Sequence, residues 1–267
     1  MATSDGHRDW IRAHVPGKTF ADIGGMYQLM GDMAFLAEEA GATAVSLFDV
    51  GDPDLIAAGH PEWGWFEQKK ADRGSAVRYV QGDLEDPASV RRLGAHDVVY
   101  YSGVLYHTPN PFQQLVHLRQ VTHELALIAT ITIPEVPGFH QACVFYPYLD
   151  EADRVPYARG YPSAEGLLAI GPPFDERPMY GYGNCWWGIT RSALVAMLRA
   201  ARFEVVDGPW STGRPFYTAL VVRPLPVDPS LPPQSYFRER GEALARGEER
   251  LPYDEWYDVL RERDNGR

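Results

Sequence analysis

Cysteine is almost missing from this chain of 267 residues: only Cys143 and Cys185 are present. Neither lies in a metal-ligand spacing, so a zinc module or a disulfide scaffold is disfavoured, and a reducing, cytoplasmic setting fits. Long apolar runs are lacking too, and none approaches the roughly 20 residues that a membrane span needs. The first ten residues, Met1 to Trp10, are mostly polar, which argues against a secretory leader. Positive charge is in short supply: 25 Lys and Arg stand against 36 Asp and Glu, a formal net charge of −11. Such a surface repels a phosphate backbone, so generic nucleic-acid binding is disfavoured. No internal repeat is found.

What is present suits a globular enzyme. Apolar residues make up 45% of the chain and charged residues 23%, enough for a full core. The length fits one α/β domain with insertions, or a domain with a small lid. After a leading helix over 1–17, apolar and β-prone runs predict strands at Lys18–Ile23, Ala44–Val50, Val77–Gln81, Asp97–Ser102 and Leu125–Ile133. Helical patterns intervene at Met26–Ala40, Pro87–Leu93 and Pro111–His123, the last with His117 and His123 on its surface. This alternation predicts a Rossmann-like, doubly wound, seven-stranded and mostly parallel α/β sheet. Its last two strands are Phe203–Val206 and Phe216–Val222, after a helix over Arg191–Arg202 capped by Thr190. Between the fifth strand and that helix, residues 134–187 are rich in proline, glycine and aromatics, the composition of a substrate lid. The expected division is a domain over 1–223 and a linker with a charged, helical extension over 224–267.

The loop Phe20-Ala-Asp-Ile-Gly-Gly-Met-Tyr-Gln28 carries the strongest local signal. An apolar strand ends in an acid, two glycines follow, and a ligand can approach bare backbone. A dinucleotide site would want Gly-x-Gly-x-x-Gly for its pyrophosphate. Here the third glycine is lacking, and Met26, Tyr27 and Gln28 fill the space. A ligand without phosphate fits better, and S-adenosylmethionine is one. Asp22 can pair with its amino group, and Gly24 and Gly25 can lie along its methionine end beside Tyr27. Asp49, ending the second strand, can accept the ribose hydroxyls. Asp83, after the third strand, can accept the adenine amino group while the Leu84 N–H donates. All three acids would share the carboxyl edge of one sheet, the usual ligand crevice.

With these residues the chain resembles the class I S-adenosylmethionine-dependent methyltransferases over residues 18 to about 222. The resemblance rests on Ala21-Asp-Ile-Gly-Gly25, Asp49, Gly82-Asp-Leu-Glu-Asp86 and Asp97-Val-Val-Tyr-Tyr-Ser-Gly-Val-Leu-Tyr-His-Thr-Pro-Asn-Pro111. The Gly103-Val-Leu-Tyr-His107 run and Met179-Tyr-Gly-Tyr-Gly-Asn-Cys-Trp-Trp187 look closest to the branch containing the tRNA wobble-uridine carboxymethyltransferase. The family usually has a third glycine in its first motif, where this chain has Met26 or Tyr27.

The resemblance implies that Ser102 to His107 leaves the fourth strand beside the transferred methyl. Tyr106 and His107 would then meet substrate, and His107 could serve as general base for a hydroxyl. A structural role for His107, ordering the turn before Pro109, is the competing reading. His140 in the insertion is a second candidate base. The leading expectation is methyl transfer to an oxygen or nitrogen of a small molecule, a secondary metabolite of the kind met in antibiotic biosynthesis. The alternatives are a tRNA-modifying carboxymethyltransferase, which lacks a strong basic cluster, and a nicotinamide-dependent oxidoreductase, which the missing glycine disfavours. No metal is implied, and homo-oligomerisation stays open.

Overall fold

The computed structural model describes residues 5–26, 30–51, 61–147, 186–211 and 217–226, with a few positions between 243 and 247. The chain divides into two compact units, Met1–Pro224 and Leu225–Arg267. The first holds the strands and helices that position the site.

In chain order its helices are α1 (Asp5–His14), α2 (Asp32–Glu39), α3 (Pro61–Arg73), α4 (Pro87–Leu93), α5 (Pro111–Val121) and α6 (Arg191–Ala200). The strands are β1 (Thr19–Ile23), β2 (Ala44–Asp49), β3 (Arg78–Gln81), β4 (His96–Ser102), β5 (Thr122–Ile131), β6 (Cys143–Phe145), β7 (Trp187–Ile189), β8 (Phe203–Ser211) and β9 (Tyr217–Pro224). Seven form one sheet in the order β3-β2-β1-β4-β5-β9-β8. The pairs among β1 to β5 are parallel. β9 runs antiparallel to β5 and to β8. This is the expected doubly wound, mostly parallel sheet, and its order reverses between β1 and β4, where such folds open a ligand crevice.

β4 shows how the sequence makes two cores. Val98 and Tyr100 face the layer of α1, α2 and α3, packing with Trp10, Ile11, Phe35 and Phe66. Val99 and Tyr101 face the opposite layer, with Val90, Leu115, Leu118 and Leu194. Because both faces are covered, the strand reads as an unbroken apolar run. Two helix starts are set by polar caps. Asp86 accepts from the Ala88 and Ser89 amides at α4, with Pro87 following it. Thr190 accepts from the Ala193 amide at α6.

β8 runs on to Ser211 rather than stopping at Val206, and β5 spans Thr122–Ile131 rather than Leu125–Ile133. Two helix boundaries that differ from the sequence reading bear on the site. α2 starts at Asp32, not Met26, because Met30 (φ 49°) and Gly31 (φ 76°) turn left-handed. The segment before it closes on itself instead, through the Gly31 amide donating to the Gly25 carbonyl at 3.0 Å. α5 stops at Val121, where Thr122 becomes extended and enters β5 directly. His123 therefore stands on a strand, with an exposed side chain. His117 is also corrected: it is buried rather than on the surface, and its Nδ1–H donates to the Leu84 carbonyl at 2.5 Å.

The long insertion is tied at its base. β6 and β7 form a small antiparallel ladder from Cys143↔Ile189 to Phe145↔Trp187. The Tyr146 amide continues it by donating to the Trp186 carbonyl at 2.9 Å.

Candidate functional site

Asp22 is the penultimate residue of β1, Asp49 the last of β2 and Ser102 the last of β4, while Asp83 follows β3 by two residues. Parallel pairing puts all four at one edge of the sheet. Asp22 points toward the α1–α2 side with Phe20, since alternate residues of a strand share a face.

The Asp22 side chain is 1% exposed. Neither oxygen receives a well-formed hydrogen bond among the described residues, the Ala34 amide only approaching it. Burial, then the nearby Asp49 charge, pushes its carboxyl up to about 8, and the Ala34 amide offsets this only weakly. The group lies directly against Gly25, where a Cβ would stand 2.1 Å from Asp22 Oδ2. Any side chain there would evict the carboxylate. Gly24, at φ 80°, is pressed as closely on the other side, because its Cβ would meet Val104 Cγ2 at 2.2 Å. The two glycines thus let one loop touch both the acid of β1 and the turn after β4.

Asp49 anchors that loop. Its Oδ2 accepts from the Met26 amide at 3.0 Å and its Oδ1 from the Gly51 amide at 3.1 Å. Burial raises the Asp49 carboxyl, and these amides partly oppose the rise. Each carboxylate oxygen keeps a second lone pair for a ligand hydroxyl. Tyr27 lies outside the described residues.

Asp83 accepts from the Glu85 amide at 2.8 Å, which fixes the acid at the start of the turn. Leu84 is buried beneath it, with its carbonyl held by His117.

After β4 the Gly103 amide donates to the Ala129 carbonyl. A short 3₁₀ turn follows over Leu105–His107, with Leu105 buried and His107 exposed. The Tyr106 and His107 rings lie 4.1 Å apart between centroids. Trp186, at the returning end of the insertion, donates its amide to the Tyr106 carbonyl at 2.8 Å. His140 stands elsewhere, in an exposed turn beside Glu135, whose carboxylate accepts from Ser192 at the start of α6. The fold therefore brings Asp22, Gly24, Gly25 and Asp49 into one contact set and Tyr106 and His107 into another, with Val104 between them.

Three further residues enter the site region that the sequence reading assigned no role. Tyr217, opening β9, bonds Ser102 Oγ through its hydroxyl at 2.9 Å. His7 of α1 bonds the Tyr100 hydroxyl at 3.0 Å, and burial lowers its pKa to about 4, so the ring is neutral. Glu85 joins the turn after β3 to the residues following His107. Only Glu85 lies within a recognisable motif, and nothing local marks its partners. Among the described residues no cluster of His, Cys, Asp and Glu could hold a metal ion. No described helix is long and apolar enough to cross a membrane.

No protein-family model and no curated protein matches the sequence. Solved structures do share the fold. One is magnesium protoporphyrin IX methyltransferase from Synechocystis PCC 6803 with bound SAH, at TM-score 0.50 and 17% identity over 82% of this chain and 81% of that one. Another is the 4+2 cyclase SpnF, at TM-score 0.51 and 14% identity over 84% of this chain and 82% of that one. The likeness is one of fold, and it embraces more than one chemistry.

Proposed function

We propose that the chain is a methyltransferase that uses S-adenosylmethionine and acts on an oxygen or nitrogen of a small molecule. The observation that carries the reading is Asp22: a fully buried carboxyl, without a well-formed hydrogen bond and seated on bare glycine backbone. A fold does not keep such a group for stability, since a buried polar group without good hydrogen bonds costs free energy even when it is protonated. A cationic ligand group explains it, and the ammonium of the cofactor's methionine end is of that kind. Asp49 and the Asp83–Leu84 turn share the sheet edge with Asp22, which supports giving them the ribose hydroxyls and the adenine amino group. The residues present therefore fit this cofactor, and the fold's other chemistry lacks so direct a residue-level argument.

When bound, the cofactor supplies a methyl group activated on a sulfonium centre. The chain's own work is then alignment and exclusion of water. Asp22 pairs with the ammonium, Asp49 accepts the ribose hydroxyls, and Gly24 and Gly25 leave room for the methionine end. Ser102, held by Tyr217, ends β4 at the boundary with the acceptor side. Tyr106 positions the acceptor, and His107 takes its proton where a hydroxyl must be activated. The aromatic insertion suits a compact, partly apolar acceptor. Titration calorimetry with S-adenosylhomocysteine and with NAD tests the reading. Saturable binding of the former with none of the latter is expected. Absence of S-adenosylhomocysteine binding overturns it.

A further inference from the structure

Glu85 uses its whole polar inventory to join two turns that are distant in sequence. Its amide donates to Asp83 Oδ1 at 2.8 Å, which orients the acid assigned to the adenine. Its carboxylate accepts from Thr108 Oγ1, and from Asn110 Nδ2 at 2.6 Å. Its carbonyl accepts from Gln113 Nε2 at 3.2 Å. The neighbouring Leu84 carbonyl is held by His117 of the same helix, α5. Thr108 is only 3% exposed, so its end of the bond to Glu85 is buried.

Thr108 and Asn110 directly follow His107. The turn they end is gripped from its other side as well. The Trp186 amide holds the Tyr106 carbonyl, and Trp187 Nε1–H donates to the Pro109 carbonyl at 3.0 Å. An unbroken series of hydrogen bonds thus runs from Asp83 through Glu85 to Thr108 and Asn110, and from this turn to the base of the insertion.

We infer that Glu85 is a positioning residue that couples occupancy of the adenine pocket to the arrangement of Tyr106 and His107. The inference rests on the methyltransferase reading and gives it an order. A filled adenine pocket holds Asp83, Asp83 holds the Glu85 amide, and the Glu85 carboxylate then fixes the acceptor turn. The acceptor meets a completed site only after the cofactor has bound.

Hydrogen exchange with and without saturating S-adenosylhomocysteine tests this on the full chain. In the wild-type protein, the ligand slows exchange in the peptide spanning 104–110 and in that spanning 186–189 by about fivefold or more. Glu85→Ala, loaded to saturation, keeps protection at the glycine loop but loses it in both peptides. Glu85→Gln retains one acceptor for Thr108 and recovers part of the effect. Full protection of 104–110 in loaded Glu85→Ala overturns the inference, as does ligand binding to wild type without protection there. If Glu85→Ala does not fold, Asn110→Ala replaces it, cutting one contact from an exposed position. Protection of 104–110 must then fall, and an unchanged value overturns the coupling. Failure of wild type to bind S-adenosylhomocysteine instead removes the methyltransferase reading itself, so the two failures are distinct.

Discussion

On the proposed reading, Asp22 gives up stability in exchange for cofactor binding. Its carboxyl is raised in the folded chain to about 8, above the ordinary carboxylate value it regains on unfolding. The folded state therefore holds a proton that the unfolded state releases. This contribution to stability is fully present below about pH 4 and is lost as pH rises through 8. Asp22→Asn should thus raise the melting temperature of the ligand-free protein at pH 8.5 and change it little at pH 4. The same variant should weaken S-adenosylhomocysteine at least about tenfold, because the ammonium loses its counter-charge. In the wild type, affinity should rise with pH between 6 and 8, at most about tenfold per unit, as binding displaces the Asp22 proton. Calorimetry across that range checks this, and a flat profile contradicts the pairing. The acids were legible in the sequence because each lies at or just after the end of a β-prone run, a purely local pattern. Glu85, His7 and Tyr217 were not. Their roles depend on which strands and helices meet, and Tyr217 reaches Ser102 only because β9 lies beside β5.

Elements follow the same division. β4 announces itself through Val98, Val99, Tyr100 and Tyr101, a run that no exposed segment would carry. α4 and α6 are marked by Asp86, Pro87 and Thr190 at their starts. The start of α2 is hidden, because Met26, Met30 and Met33 continue a helical spacing straight through the loop. The competing demand is tertiary: Asp49 takes the Met26 amide, and Met30 and Gly31 must turn left-handed before a helix can begin. His117 misleads for a related reason, since its partner Leu84 lies 33 residues away. Thr190 offers a test at this scale. Its hydroxyl accepts from the Ala193 amide and donates to the Ala142 carbonyl at 2.9 Å. Thr190→Ala should cost about 1–2 kcal/mol, read as a lower urea midpoint with an unchanged slope. Thr190→Ser should recover most of it.

For the whole molecule, the sheet is built from residues before 132 and after 202, and the aromatic insertion leaves and returns through the β6–β7 ladder. Its ends are held within one strand spacing. Replacing residues 148–185 with a short glycine-containing turn should therefore leave the far-UV circular dichroism and S-adenosylhomocysteine binding close to those of the full chain. Loss of the cooperative unfolding transition would show that the sheet depends on the segment after all.

That pinched base has an evolutionary meaning. Once the ends of a loop are fixed together, doubling its length costs only about 0.6 kcal/mol of closure entropy. Insertions, deletions and wholesale replacement between β6 and β7 are nearly neutral for the sheet. On the proposed reading, rewriting that one segment would change the acceptor while Asp22, Asp49 and Asp83 keep the same cofactor.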